Sequence, residues 1–338
     1  MNFFEEVSNL PYYVIAEAAD AHYGSMERAQ MMITAAKAAG ANAIKFQHHI
    51  PEAEMLRDTP LSSNMTEPLF DFLVRNALSI QQHVELSEFC EEVGIQYLCT
   101  PFSLKAAQEL EEAISPVAYK IGSGELLDHP TLIEVAKFGK CMILSTGMST
   151  VDEIELTYHL LQDHSPGLIL MNCTSAYPPK YSDIHVSFTS EMHDLFPKAI
   201  IGFSDHSPGL ETCVAAFTLG ARVIEKHVTI SHDLSGPDSS VSIDFDELKT
   251  LIQMMSNLSY ALKAKKEIHE SELEIRKWAH RSLVFMRDMK AGEKIQYGDI
   301  WGKRPGTGVP SRYMSNFLGR TLIEDVRAND FVTHEVCG

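Results

Sequence analysis

Short apolar runs alternate with amphipathic stretches along most of the chain. The runs cover 12–16, 43–47, 95–100, 117–121, 142–146, 168–174, 200–204 and 223–227, and each reads as a strand. Between them, apolar spacing predicts helices over 26–39, 80–92, 104–113, 131–138, 151–161, 186–195 and 210–219. A last one runs from 245 to about 264. Start signals agree with this division. Ser149-Thr150-Val151-Asp152-Glu153 offers a capping hydroxyl followed by acids, and Ser25-Met26-Glu27 is similar. Gly40, Gly94 and Gly220 follow helical stretches, where a left-handed residue is wanted. Eight strand-then-helix units predict a (β/α)8 TIM barrel. An open doubly wound sheet is the alternative. No Gly-x-Gly-x-x-Gly follows the first run, so a dinucleotide site gains no support.

Residues 50–79 form the longest insertion between a run and its helix. Pro51, Pro60, Ser62-Ser63-Asn64 and Pro68 mark it as a loop over the barrel mouth. Beyond Lys266 the texture changes. A charged helical linker leads to β-like runs at 282–286 and 331–336, punctuated by glycine and proline. The expected layout is a barrel over 1–268, a linker over 269–280 and a small domain over 281–338.

The chain has 338 residues, enough for one barrel and a small appendage, and 45% of them are hydrophobic. The net charge of −18 argues against a nucleic-acid surface but leaves room for a local anion site. No apolar run is long enough to span a membrane, and 1–6 lack signal-peptide character. The six cysteines form no Cys-x-x-Cys pair, so reduced thiols and a cytoplasmic location are expected.

Active sites of such barrels form at the C-terminal strand ends. Here those ends read Glu17; Lys45-Phe46-Gln47; Thr100-Pro101-Phe102-Ser103; Lys120-Ile121-Gly122-Ser123-Gly124-Glu125; Ser145-Thr146-Gly147; Asn172-Cys173-Thr174-Ser175-Ala176-Tyr177; Ser204-Asp205-His206; and Glu225-Lys226-His227. Polar residues on all eight ends predict an active site there. Two imidazoles on adjacent strands, His206 and His227, are suited to one divalent ion. They also suit a plainer role as satisfied polar residues. A strand period of two puts Lys45 with Gln47 and Glu225 with His227. Inward lysines need anionic partners. Lys45 and Lys120, with hydroxyls from Thr100, Ser123, Ser145 and Ser204 and backbone at Gly122, Gly124 and Gly147, suggest a phosphate or carboxylate cradle. Structural ion pairs with Glu17 or Glu125 are the other reading. His48-His49 reads as an exposed loop pair, with an added metal ligand as the alternative.

Several stretches in this order resemble the sialic acid (nonulosonate) synthases. They are IAEAADAHYGSMERA (15–29), NAIKFQ (42–47), TPFS (100–103), YKIGSGE (119–125), LSTGMST (144–150), NCTSAYP (172–178), GFSDHS (202–207), VIEKH (223–227) and GPDSSVS (236–242). The tail stretches 280–295 and 303–309 resemble the antifreeze-like SAF (β-clip) domain that ends those enzymes. The resemblance implies condensation of phosphoenolpyruvate with an open-chain N-acyl hexosamine, with C–O cleavage and release of phosphate. It implies Mn2+ or Mg2+ on His206 and His227, with Gln47 nearby. Lys45, Thr100, Lys120, Ser123, Ser145 and Ser204 would hold phosphoenolpyruvate, and Glu17 would sit by the reacting carbons. Glu125, Ser175, Tyr177 and Asp238 would approach the sugar. Arg304 would reach the other subunit's site, which implies a domain-swapped homodimer; alone, it reads as a solvated turn residue.

The chain departs from the family pattern at Ala19 and Ala21, where Gly and Asn are usual, and at Ser175, where sialic acid synthases place Asn. Gly-Pro-Asp-Ser at 236–239 and Gly24-Ser25-Met26-Glu27-Arg28 resemble the pseudaminic branch, while Arg304-Pro305-Gly306-Thr307-Gly308 resembles the sialic or legionaminic branches. The competing functions are a synthase acting on a sugar phosphate, against which the tail domain and Arg304 speak, and a non-catalytic sugar-binding relative.

Overall fold

The computed structural model describes residues 2–61, 65, 67–234 and 236–337. It divides into two compact units, 1–263 and 264–338. In the first unit the strands are β1 Tyr13–Glu17, β2 Ala43–His48, β3 Gln96–Pro101, β4 Ala118–Ile121, β5 Cys141–Ser145, β6 Leu168–Cys173, β7 Ile200–Asp205 and β8 Val223–His227. They pair in parallel in the order β3-β2-β1-β8-β7-β6-β5-β4. β3 and β4 lie side by side, though no ladder joins them among the described residues, so the barrel is nearly closed. The open doubly wound alternative is thereby replaced by a TIM-type barrel. No helix among the described residues is long and apolar enough to cross a membrane.

The barrel interior changes character along its axis. Tyr13, Ile15, Ala43, Leu98, Ile143, Ile169 and Val223 fill its lower part, plugged by Phe3 and Val7 of the helix Phe3–Asn9. Period-two alternation carries the same inward face to Glu17 in β1 and Lys45 in β2. The register sets Glu17 level with Lys45 on one side and His227 on the other. A greasy base therefore supports a charged upper layer. The outward set, including Ala16, Ile44, Phe46 and Ile224, packs under the helices.

The helix Phe3–Asn9 was not legible in the periodicity because it spans only seven residues; the capping box of Asn2 and Glu5 starts it. The expected loop over 50–79 is corrected in part. It contains a turn of helix, Pro51–Glu54, and a helix, Leu69–Asn76, that buries Phe70, Phe72 and Leu73. An apolar face supplied a packing reason that the flanking prolines obscured. Residues 62–64 and 66 of that insertion lie outside the described residues.

Gly202 in β7 shows how tightly the barrel wall is packed. A Cβ there would stand 2.3 Å from Met171 Sδ and 2.8 Å from the Val223 carbonyl oxygen. Gly202→Ala is expected to cost about 1–3 kcal/mol by overpacking. Chemical denaturation checks this, and an unchanged midpoint would contradict it.

The second unit holds the helix Leu273–Ala279 and an antiparallel pair, β9 Ser282–Phe285 with β10 Ile300–Lys303. Leu283, Phe285, Met289, Ile295, Ile300, Phe317, Leu322 and Val332 give it a core of its own.

Candidate active site

The fourteen barrel residues given roles by the family resemblance line one cavity of about 460 Å³ at the strand ends. These are Glu17, Lys45, Gln47, Thr100, Lys120, Ser123, Glu125, Ser145, Ser175, Tyr177, Ser204, His206, His227 and Asp238. Arg304 belongs to the second unit. Its guanidinium lies 4.5 Å from the centre of the Trp278 ring, and its Nε donates to the Ala279 carbonyl at 3.3 Å.

The centre is a buried quartet of charges. Lys45 Nζ lies 2.6 Å from Glu17 Oε2 and 3.7 Å from Glu225 Oε1. It donates to Thr100 Oγ1 at 3.0 Å. Lys120 Nζ donates to Ser145 Oγ at 2.7 Å and lies 3.7 Å from the same Glu225 oxygen. Ser204 Oγ donates to that oxygen at 3.2 Å. Glu225 is thus the hub between both lysines, a role not picked out in the sequence. Its position two residues before His227, on the same face, was the available signal. The lysines do pair with structural carboxylates, as the plainer reading had it, but with Glu17 and Glu225 rather than Glu125. Such pairing does not exclude an anion site, since a bound anion can exchange with the carboxylates.

Burial sets the proton affinities. It pushes the Glu17 carboxyl up despite Lys45. On Lys45, burial lowers the pKa, but Glu17 and Glu225 outweigh it and the net shift is upward. Lys120, desolvated and less well compensated, is held down. Burial acts against the Glu225 charge too, but Lys120 and Lys45 bring its pKa below the ordinary carboxylate value.

The histidines lie across the cavity. His206 Nδ1 donates to the Thr174 carbonyl at 2.9 Å, and Tyr177 Oη donates to Nε2 at 2.9 Å. The His206 and His227 ring centres are 5.3 Å apart. His227 Nδ1 is buried without a hydrogen bond, 3.6 Å from Asp238 Oδ2. The carbonyl bond fixes the His206 tautomer and leaves a lone pair on Nε2, the usual arrangement behind a metal-binding imidazole. An orphaned buried nitrogen on His227 supplies the second. These donors fit one divalent ion. Burial lowers the His206 pKa, but Cys173 and Thr174 outweigh it and raise it to about 8. Burial, then His206, holds His227 well below the usual imidazole value. Burial, with Asp20 and Glu17 adding repulsion, raises Asp238 to about 7.

Small residues make space around this centre. A Cβ on Gly147 would stand 2.1 Å from Ser175 Oγ and 2.8 Å from Ser123 Oγ, which itself accepts the Gly147 N–H at 3.1 Å. The departure at Ala19 has a cost, because its φ of 44° is left-handed and favours the absent glycine.

His48 and His49 are not an exposed pair. They are 2% and 8% exposed respectively. His48 faces outward to Glu109 at 3.1 Å, while His49 lines the cavity. A second cluster, His232 with Asp244 and Glu247, brings ligand atoms within 4.8 Å of one another. Its carboxylates form the N-terminal capping box of the helix Phe245–Ala261, which accounts for the geometry.

Residues 32–267 match the NeuB family and 280–335 match the SAF domain. The pseudaminic acid synthase of Campylobacter jejuni (serotype O:23/36) is 32% identical, over 94% of each chain. The human N-acetylneuraminate-9-phosphate synthase is 30% identical, covering 96% of this chain and 92% of its own. Among solved structures, the N-acetylneuraminic acid (sialic acid) synthetase of Leptospira borgpetersenii, in complex with citrate, is 30% identical with a TM-score of 0.70. It covers 79% of this chain and 90% of its own. With the barrel, the strand-end residues and the tail all accounted for, the chain belongs to the NeuB family of synthase enzymes and carries a C-terminal SAF domain.

Proposed function

We propose that this enzyme is a nonulosonic (sialic-type) acid synthase. It condenses phosphoenolpyruvate with an open-chain N-acyl hexosamine, either N-acetylmannosamine or a di-N-acetyl-trideoxyhexose, and releases inorganic phosphate. The observation that carries this reading is the pair of buried lysines ringed by strand-end hydroxyls, facing two histidines across one cavity.

Lys45 and Lys120, with Thr100, Ser123, Ser145 and Ser204, hold the carboxylate and phosphate of phosphoenolpyruvate. The arriving anion exchanges with Glu17 and Glu225 as their partner. Glu125, Ser175, Tyr177 and Asp238 orient the sugar, so its C1 faces C3 of phosphoenolpyruvate; such alignment is a large part of the rate. The C3–C1 bond forms, and the aldehyde oxygen becomes a hydroxyl by gaining a proton. Water adds at the electron-poor C2, giving up a proton. The C2–O bond to phosphate then breaks, and the new C2 hydroxyl loses its proton to leave a ketone. Glu17, with a raised pKa and a place beside Lys45, takes the proton from water and returns it to the aldehyde oxygen. The two lysines stabilise charge that grows on the departing phosphate. Mn2+ or Mg2+, held by His206 and His227 with Gln47 nearby, would supply polarisation of the sugar aldehyde.

The SAF domain completes the site in a domain-swapped homodimer, with Arg304 reaching the sugar's N-acyl group in the other subunit. Loss of a charged hydrogen bond costs about 1.5–3 kcal/mol, so Arg304→Ala is expected to raise the sugar KM by about ten- to hundredfold and leave that of phosphoenolpyruvate unchanged. An unchanged sugar KM would contradict this role.

The tail does not separate free sugars from sugar phosphates, a correction to the expectation from sequence. The human relative, named for a phosphorylated product, matches over 96% of this chain, tail included. Phosphate release from phosphoenolpyruvate, with Mn2+ or Mg2+ and a panel of free and phosphorylated hexosamines, tests the reading. Release with a free N-acyl hexosamine supports it, and release with phosphorylated hexosamines alone favours the sugar-phosphate synthase instead. No release with any sugar sinks it in favour of a non-catalytic relative.

A further inference from the structure

We propose that His49 and Glu54 form a positioning pair that sets the Gln47 amide and, through it, aims Glu17 at the reacting centre. This inference rests on the synthase reading above.

Four side chains form an unbroken hydrogen-bonded line. Glu54 presents both oxygens to His49 Nδ1, at 3.0 and 3.1 Å. His49 Nε2 meets Gln47 Oε1 at 3.0 Å. Gln47 Nε2 donates to Glu17 Oε1 at 2.8 Å, and the other Glu17 oxygen faces Lys45 at 2.6 Å. The line is shielded from water, with the side chains of His49 and Glu54 only 6% and 4% exposed. Phe102 stacks on the His49 ring with centres 4.2 Å apart and planes 16° from parallel, which limits its tilt.

A primary amide has two nearly isosteric orientations. With Nδ1 facing the Glu54 carboxylate and Nε2 facing an amide oxygen, His49 donates from both nitrogens as the imidazolium. Turned over, Gln47 would set its oxygen against the Glu17 carboxylate and its NH2 against the His49 Nε2–H. Both contacts would be repulsive. His49 therefore selects the orientation in which Gln47 donates to Glu17. Glu54 holds the imidazole in place, from a helical turn, Pro51–Glu54, whose first position is proline. That turn gives the chain a reason to fold back directly after β2. Before substrate arrives, Glu17 is fixed on one oxygen by Lys45 and on the second by the amide, and once the anion takes Lys45 the amide is the restraint that stays. Removing the second restraint frees the carboxylate to swing, and displacements of this kind carry a large kinetic penalty. Neither His49 nor Glu54 touches a reacting atom in this scheme.

Steady-state kinetics on the full-length chain test the pair by its coupling to Gln47. His49→Ala is expected to lower kcat by about tenfold or more, the usual scale for losing such a support, with the KM of phosphoenolpyruvate within about twofold. His49→Gln restores an amide donor toward Gln47 and should recover most of that loss. In a Gln47→Ala background the link is already cut, so His49→Ala should cost less than about twofold. The same factor in both backgrounds, or an unchanged kcat, would overturn the pair's role. Should His49→Ala fail to fold, Glu54→Ala in the two backgrounds gives the same comparison: a loss confined to the Gln47 background supports the pair, and equal losses overturn it. Turnover by the unaltered chain separates the two levels. Its absence overturns the synthase reading and this inference with it; turnover with additive losses overturns the inference alone.

Discussion

Lys226→Met is expected to destabilise the first unit by about 3–5 kcal/mol, the usual cost of leaving one member of a buried pair uncompensated. The Lys226 side chain is 0% exposed, and its Nζ lies 2.7 Å from Asp205 Oδ2. It also donates to the Ser207 carbonyl. Asp205 accepts from the Ser207 backbone at 3.0 Å, from Ser207 Oγ at 2.8 Å and from Thr212 Oγ1 at 2.9 Å. This network ties β7 to β8 and holds the turn that carries His206. Methionine keeps most of the volume and removes the charge, so the carboxylate stays buried with neutral donors alone. Adding Asp205→Asn should recover part of the loss, because the bare charge goes with it. Denaturant unfolding measures both variants. A loss below about 1 kcal/mol in the single variant would contradict this role for the pair.

The second large effect is on turnover. Lys45→Met is expected to lower phosphate release by about 10²–10³-fold, the scale for removing one preorganised donor from developing negative charge. Lys45 touches Glu17, Thr100 and Glu225 at once, so its loss disturbs the anion site and the proton-handling carboxylate together. Lys120 does not replace these contacts, since it donates to Ser145 and meets neither Glu17 nor Thr100 among the described hydrogen bonds and ion pairs. Both kcat and the KM of phosphoenolpyruvate should change, which separates this variant from Arg304→Ala. A Lys45→Met enzyme within about tenfold of the unaltered one would show that the lysine is only a structural partner of Glu17.

The barrel was legible because its signals are local. The expected helix over 26–39 coincides with Met26–Ala39, where Ser25 caps the start and Gly40 takes the left-handed conformation at the end. Strand ends were legible for a similar reason, as the apolar runs stop at or beside polar residues. What the sequence could not convey was partnership. Nothing local says that Glu225 binds lysines from β2 and β4, which the barrel alone brings together. Asp205 and Lys226 also stood among the strand-end polar residues. They alternate with the inward Ser204 and Glu225, so they turn outward and serve packing. His49 lay beyond the end of β2, where no period applied. Its burial depends on a helical turn and on Phe102 from after another strand.

Phosphoenolpyruvate carrying ¹⁸O at its bridging oxygen tests the central claim most directly. The full-length enzyme would be incubated with this substrate and an accepted hexosamine, and both products examined by mass spectrometry. Condensation at the lysine and histidine faces of one cavity, with water adding at C2, predicts that the label leaves with inorganic phosphate and that the nine- or more-carbon acid carries none. Label retained in the ketone of the acid, which requires the P–O bond to break instead, would contradict the proposed chemistry.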